Sequence, residues 1–140
     1  MTMKNVKRAI CAVLLLCIAG VISACASGAT GVVLRKEGSW FSNYEVAGDE
    51  VHFNCILRLQ NTTNQAQAIS IYGKFDEDAK NGLVKENRLL AHDADEPTVT
   101  AFYLAAGAEI SVEVTFTGTF AGTAEKHDRL LPELEIVKAE

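Results

Sequence analysis

Val51-His52-Phe53-Asn54-Cys55-Ile56-Leu57-Arg58-Leu59-Gln60 is the stretch on which the fold turns. Val51, Phe53, Cys55, Leu57 and Leu59 fall on one side of an extended chain. His52, Asn54, Arg58 and Gln60 fall on the other, and only Ile56 breaks the polar side. A period of two marks a strand with one face in a core and one face toward water. Asn61-Thr62-Thr63-Asn64-Gln65 follows, a turn by composition. Beyond it Ile69, Ile71, Gly73 and Phe75 repeat the alternation. Two such runs joined by a short polar link predict a hairpin.

Outward from this hairpin the same logic continues. Ile110, Val112, Val114 and Phe116 alternate with Ser111, Glu113, Thr115 and Thr117, a further strand. Residues 98–104 read as a strand with Phe102 and Leu104 inside, and Ala105-Ala106-Gly107 supplies the turn after it. Leu134 and Ile136 form a last strand after Pro132. Val32-Val33-Leu34 has the composition of an edge strand, and residues 83–91 read as a short helix or a weak strand, with a strand or extended loop favoured because the rest is β. Residues 76–82 and 92–97 are charged, turn-rich loops. Six or seven short strands in about a hundred residues predict an all-β fold, an immunoglobulin-like antiparallel β-sandwich. A small β-barrel is the alternative.

The arrangement Leu57-x-Leu59-x-Asn61-x-Thr63, then Phe102-x-Leu104-x-x-Gly107, then Val112-x-Val114-x-Phe116 resembles the small immunoglobulin-like domains of bacterial lipoproteins and secreted proteins. It covers residues 44–137. In that family the first segment is a strand ending in an N-x-S/T turn and the second is strand–turn–strand. The resemblance implies a fold and carries no catalytic residue, because the matching positions are turn and core residues.

The amino terminus has a different grammar. Lys4, Lys7 and Arg8 precede an almost unbroken apolar run over residues 9–22, and Ile22-Ser23-Ala24-Cys25 closes it with small residues before a cysteine. A positive start, a short apolar stretch and a small-residue cleavage site are the parts of a secretory signal. The run is shorter than the ~20 residues of a spanning helix. With Cys25 at its end, the order resembles the lipobox of bacterial lipoproteins. There the cysteine thiol takes a diacylglycerol and becomes the new N-terminus after cleavage. The resemblance implies fatty chains on Cys25 and anchorage at the cell membrane or envelope surface. The expected organisation is a signal peptide over residues 1–24, a lipidated cysteine and flexible tether over 25–42, and the β domain over 43–140.

Charge and cysteines narrow the function. The chain holds 13 Lys and Arg against 18 Asp and Glu. Lys4, Lys7 and Arg8 leave with the signal, so ten basic residues remain against eighteen acidic ones. Phosphate backbones demand clusters of Lys and Arg, and none follows Arg8, so no nucleic-acid partner is expected. The membrane contact falls to the lipid on Cys25. Of four cysteines, Cys11 and Cys17 lie in the signal and Cys25 takes the lipid, which leaves Cys55 without a partner. Packing, not a disulfide, must hold the domain.

No catalytic residue and no cofactor motif emerges. Cys55 sits on the inward face of its strand, as a small hydrophobe. No serine stands in a glycine elbow. His52, His92 and His127 are scattered, with no second member at metal-ligand spacing. Asp76 and Asp78 begin a calcium-like loop that fails the pattern at three places, including Asn87 where a bidentate glutamate belongs. Asp93 and Asp95 form a second acidic loop, and the two loops together are the weak metal candidates. Trp40, Phe41 and Tyr44 lie close together before the first firm strand. They read either as core packing or as an aromatic contact patch for a partner. The resulting expectation is a lipid-anchored, non-enzymatic binding or interaction module of the envelope, with a protein or envelope component as partner. The alternatives are a small-ligand or calcium-binding protein using the acidic loops, and a hydrolase.

Overall fold

A computed structural model describes residues 30–124 and 129–140. Its strands are β1 (Val32–Leu34), β2 (Trp40–Ala47), β3 (Glu50–Asn61), β4 (Gln67–Lys74), β5 (Arg88–Asp93), β6 (Phe102–Leu104), β7 (Glu109–Thr119) and β8 (Glu133–Lys138). A five-residue helix, α1 (Asp76–Lys80), sits between β4 and β5. The described chain is all-β, and every strand pair is antiparallel.

Strand β3 organises one half of the molecule. Its whole length pairs with β7, from Glu50↔Thr119 to Gln60↔Glu109. Its other edge is shared by β2, against residues 50–56, and by β1, against residues 59–61. Strand β4 organises the other half, with β8 on one edge and β5 and β6 in succession on the other. The halves meet through β5. Residues 88–90 pair with β4, and residues 91–93 pair with β7. The two layers therefore run into one another on this side, and the sheet is nearly closed and barrel-like. On the opposite side β8 faces β1 and β2 without pairing among the described residues.

The inward alternation fills the interior. Val51, Phe53, Cys55, Leu57 and Leu59 of β3 are fully buried, as are Ile69 and Ile71 of β4 and Val114 and Phe116 of β7. Phe53 stacks on Phe75 with centroids 4.4 Å apart, and Phe75 meets Phe116 edge-on at 5.4 Å. Each such ring contributes about 1.5–3 kcal/mol through the area removed from water. Two glycines make room at close approaches. A Cβ on Gly73 would lie 2.7 Å from Phe75 and 3.0 Å from Phe116, and one on Gly118 would overlap Val84. The outward Ile56, an exception to its strand's polar face, stands beside Trp40 of β2.

One buried polar residue ties the layers at the end of β3. Asn61 is fully buried. Its Nδ2 donates to the carbonyls of Gln65 (2.7 Å), Ala105 (3.1 Å) and Leu104 (3.2 Å). Its Oδ1 accepts from the Thr63 amide (3.0 Å) and hydroxyl (2.7 Å). The N-x-T turn and the Phe102-x-Leu104-x-x-Gly107 segment are thus clasped by a single side chain.

The structure corrects several expectations. Residues 30–42 are not a tether throughout: β1 and the start of β2 lie there, because Val32–Leu34 completes the edge of β3. Residues 76–80 are helical rather than a plain loop, and Asp76, Glu77 and Asp78 occupy the first turn, where free amides favour negative charge. The strand expected over residues 98–104 begins only at Phe102; before it the loop folds back, the Asp93 amide donating to the Val99 carbonyl. His92 belongs to β5, not to a loop.

Candidate functional site

The unpaired side of the sheet holds a cleft of about 890 Å³. One wall is Val32, Val33 and Leu34 of β1 with Trp40 and Phe41 of β2; the other is Leu134 and Ile136 of β8 with the segment 129–132 that leads into it. The lining is mostly aliphatic and aromatic, with Lys36, Arg129 and Glu133 as its charged members. Its volume lies in the range of ligand pockets. Both long walls are sheet edges whose outward N–H and C=O groups have no strand partner among the described residues.

The local sequence explains the aromatic wall. The pairing of β2 with β3 slips between Phe41 and Asn43, a bulge at Ser42. Phe41 pairs with Cys55 and Tyr44 with Phe53, so the bulge brings residues three apart onto the same inward face. Trp40 falls on the outward face at the rim and is 54% exposed. Leu130 is 92% exposed across the cleft. The trio read from sequence is therefore divided. Trp40 and Phe41 line the cleft, while Tyr44 packs against Phe53 at 6.1 Å and belongs to the adjoining core.

Arg129 closes one end. Its guanidinium lies 4.7 Å from the Tyr44 ring centroid and 5.7 Å from that of Phe53, and it pairs with Asp78. The side chain is only 10% exposed, and among the described residues its Nε has no hydrogen-bond partner. A buried cation over two rings is held by the ring quadrupoles and by its carboxylate partner. Sequence reading missed Arg129, because its partners lie about fifty to ninety residues away in the chain.

The acidic loops do different work. Asp78 is the partner of Arg129. Asp93 Oδ1 accepts from the amides of Asp95 (2.8 Å) and Glu96 (3.1 Å), capping its own turn. Asp76 lies in the first turn of α1, next to the Lys74↔Arg88 end of β5, and Asp93 lies at the other end of that strand. Among the described residues no three His, Cys, Asp or Glu side chains gather as a metal-ion set. Cys55 is buried on the inward face, and burial pushes its thiol up to about 12, so it is a neutral thiol at physiological pH. Cys25 and His127 lie outside the described residues.

Two histidines that the sequence kept apart do meet. His52 Nδ1 lies 3.1 Å, and His92 Nε2 2.8 Å, from the same oxygen, Thr117 Oγ1. Strands β3, β7 and β5 place them on the outward face of the sheet. Compared with models of protein families, with curated proteins and with solved structures, the chain matches none.

Proposed function

We propose that this chain is a lipid-anchored, non-enzymatic binding module of the bacterial envelope, and that the cleft between β1/β2 and β8 receives an extended apolar segment of a protein partner. The cleft carries the reading. Two sheet edges face each other across an apolar gap, and unpaired edges are templates for an added strand. A strand laid between them satisfies their backbone groups, and its alternate side chains meet the Trp40, Phe41, Leu134 and Ile136 surface. The anchor rests on the lipobox pattern ending at Cys25. Ser39, the one hydroxyl among the lining residues, donates to the Arg35 carbonyl and accepts from the Arg58 amide, a structural engagement with backbone, and the acidic balance of the mature chain disfavours nucleic acid.

Two measurements test it. Intact mass of the protein from its native membrane is expected to show cleavage before Cys25 plus acyl chains, both lost in Cys25→Ala. An unlipidated mass, or a chain still carrying Met1, refutes the anchor. For the module, extended peptides are selected against the purified domain and read by Trp40, the chain's single tryptophan. Binders are expected to alternate apolar residues, to shift Trp40 emission to the blue, and to be lost in Leu134→Lys. Selection of peptides indifferent to Leu134→Lys removes the cleft as the site.

A further inference from the structure

The cleft is a break in the closed sheet through which the core itself is reached. Leu34, Phe41, Leu131, Leu134 and Ile136 line it, and each packs, partly buried, against the buried core. An occupant therefore extends the core, and burial there rewards apolar surface. Left open, with Trp40 54% and Leu130 92% exposed, the cleft is an apolar patch of the kind that marks a contact site. Its lining asks for no charged headgroup. Arg129 is paired with Asp78, Glu133 lies 3.5 Å from Lys74 Nζ, and Lys36 is exposed.

The lipobox reading puts an apolar body of that chemistry within reach. Val32 lines the cleft, and the two residues before it are fixed. The Gly31 carbonyl accepts from the Thr62 amide (2.8 Å) and hydroxyl (2.6 Å), and the Thr30 hydroxyl accepts from the Val32 amide (3.2 Å). Cys25 stands six residues before Gly31, separated from Thr30 by Ala26-Ser27-Gly28-Ala29. Six residues span at most ~20–22 Å. An acyl chain adds about half the ~30 Å thickness of a bilayer's hydrocarbon core. A lipid on Cys25 is thus tethered at the mouth of the cleft, and a short flexible link holds what it carries at about millimolar effective concentration.

We propose that one acyl chain of the protein's own lipid on Cys25 lies in this cleft whenever no partner segment fills it. The inference rests on the anchor and on the cleft as the binding site, both set out under the function above. Bilayer and cleft are each apolar, so a chain that moves from one to the other forfeits little burial. With one chain in the cleft the bilayer holds fewer, and a lone acyl chain gives only marginal, reversible attachment. A partner segment that enters the cleft returns the chain to the bilayer. Partner binding and membrane attachment therefore strengthen one another, by linkage.

The experiment prepares the lipidated protein from cells fed a fatty acid with a photoactivatable diazirine in its tail. Intact mass records the chains on Cys25; the protein is then placed in phosphatidylcholine vesicles and irradiated. Peptide mass spectrometry is expected to find the anchor's chain crosslinked to residues 32–41 and 130–136 of the same molecule. Leu134→Lys, checked for its fold by far-UV circular dichroism, is expected to shift the crosslinks to phosphatidylcholine. A peptide selected on the mature chain made without lipid is expected to bind the lipidated protein about tenfold or more weakly. Crosslinks to phosphatidylcholine alone in the unaltered protein overturn the proposal and leave the anchor standing. Equal peptide affinity for the two forms overturns it and leaves the cleft as the binding site. A mass without acyl chains on Cys25 overturns it together with the anchor.

Discussion

The two sides of the sheet are built from similar residues and do opposite things. On one side β5 passes from β4 to β7 and joins the layers by backbone hydrogen bonds. Side chains inside it are fully buried, and Gly118 is there because Val84 leaves no space for a Cβ. On the other side β1/β2 and β8 stay unpaired, and apolar residues of both edges line a cleft with Trp40 and Leu130 exposed. Closure therefore gives the domain its stability, and the gap gives it a surface that another chain can complete. Substitutions on the closed side should cost stability, and substitutions at the gap should cost binding.

The largest expected effect is at the clasp between the layers. Asn61→Ala removes five hydrogen bonds from a fully buried position and leaves the Gln65, Leu104 and Ala105 carbonyls without it. The Gln65 and Ala105 carbonyls keep donors in the Thr63 hydroxyl and the Ala108 amide, but with a net contribution of ~0.5–1.5 kcal/mol for each bond lost, urea unfolding should show a loss of about 3 kcal/mol. A loss below about 1 kcal/mol would mean that the turns hold themselves. Next comes Gly118→Ala, where overpacking against Val84 should cost about 1–3 kcal/mol. An equally large cost for Trp40→Ala would erase the distinction between the two sides.

A smaller effect lies beside the closed side. Partial burial opposes ionisation of Glu86, but hydrogen bonds from Thr119 outweigh it and hold the carboxyl below its ordinary value. The carboxylate accepts from the Thr119 amide at 2.9 Å. A depressed value means that the folded state prefers the ionised form. The stabilisation is complete above the unfolded carboxyl range and is lost as pH falls through the folded value. Glu86→Gln should therefore flatten the acid limb of stability against pH; an unchanged limb would show that the contact is immaterial. The smallest effect is at the gap. Trp40→Ala with Leu130→Ser should change stability by no more than about 0.5 kcal/mol, while peptide binding falls at least tenfold.

The strands that sequence reading located best, β3, β4 and β7, are those with one face turned to the core, fully buried along β3 and buried from Val114 onward in β7, where a period of two is enforced by packing. Strand β2 was hidden because the bulge at Ser42 breaks its alternation and most of its residues are exposed. Helix α1 is too short to show a helical period, and its run of acidic residues reads equally as a turn. The site was half legible. Trp40 and Phe41 announce one wall, but the other wall comes from residues 129–136, and nothing local says that β8 will stop short of β1 and β2. The meeting of His52 and His92 at Thr117 escaped because β7 stands between their strands and brings together residues forty apart in the chain.

The long β3–β7 ladder also governs how the molecule comes into being. It joins Glu50 to Thr119 and Gln60 to Glu109, so the chain must close a loop of roughly fifty to seventy residues before its central ladder forms. Contacts so distant in sequence place the domain among slow folders, at about milliseconds to seconds. During that interval the apolar face of β3 is uncovered, and the half-made sheet offers it to any other apolar surface within reach.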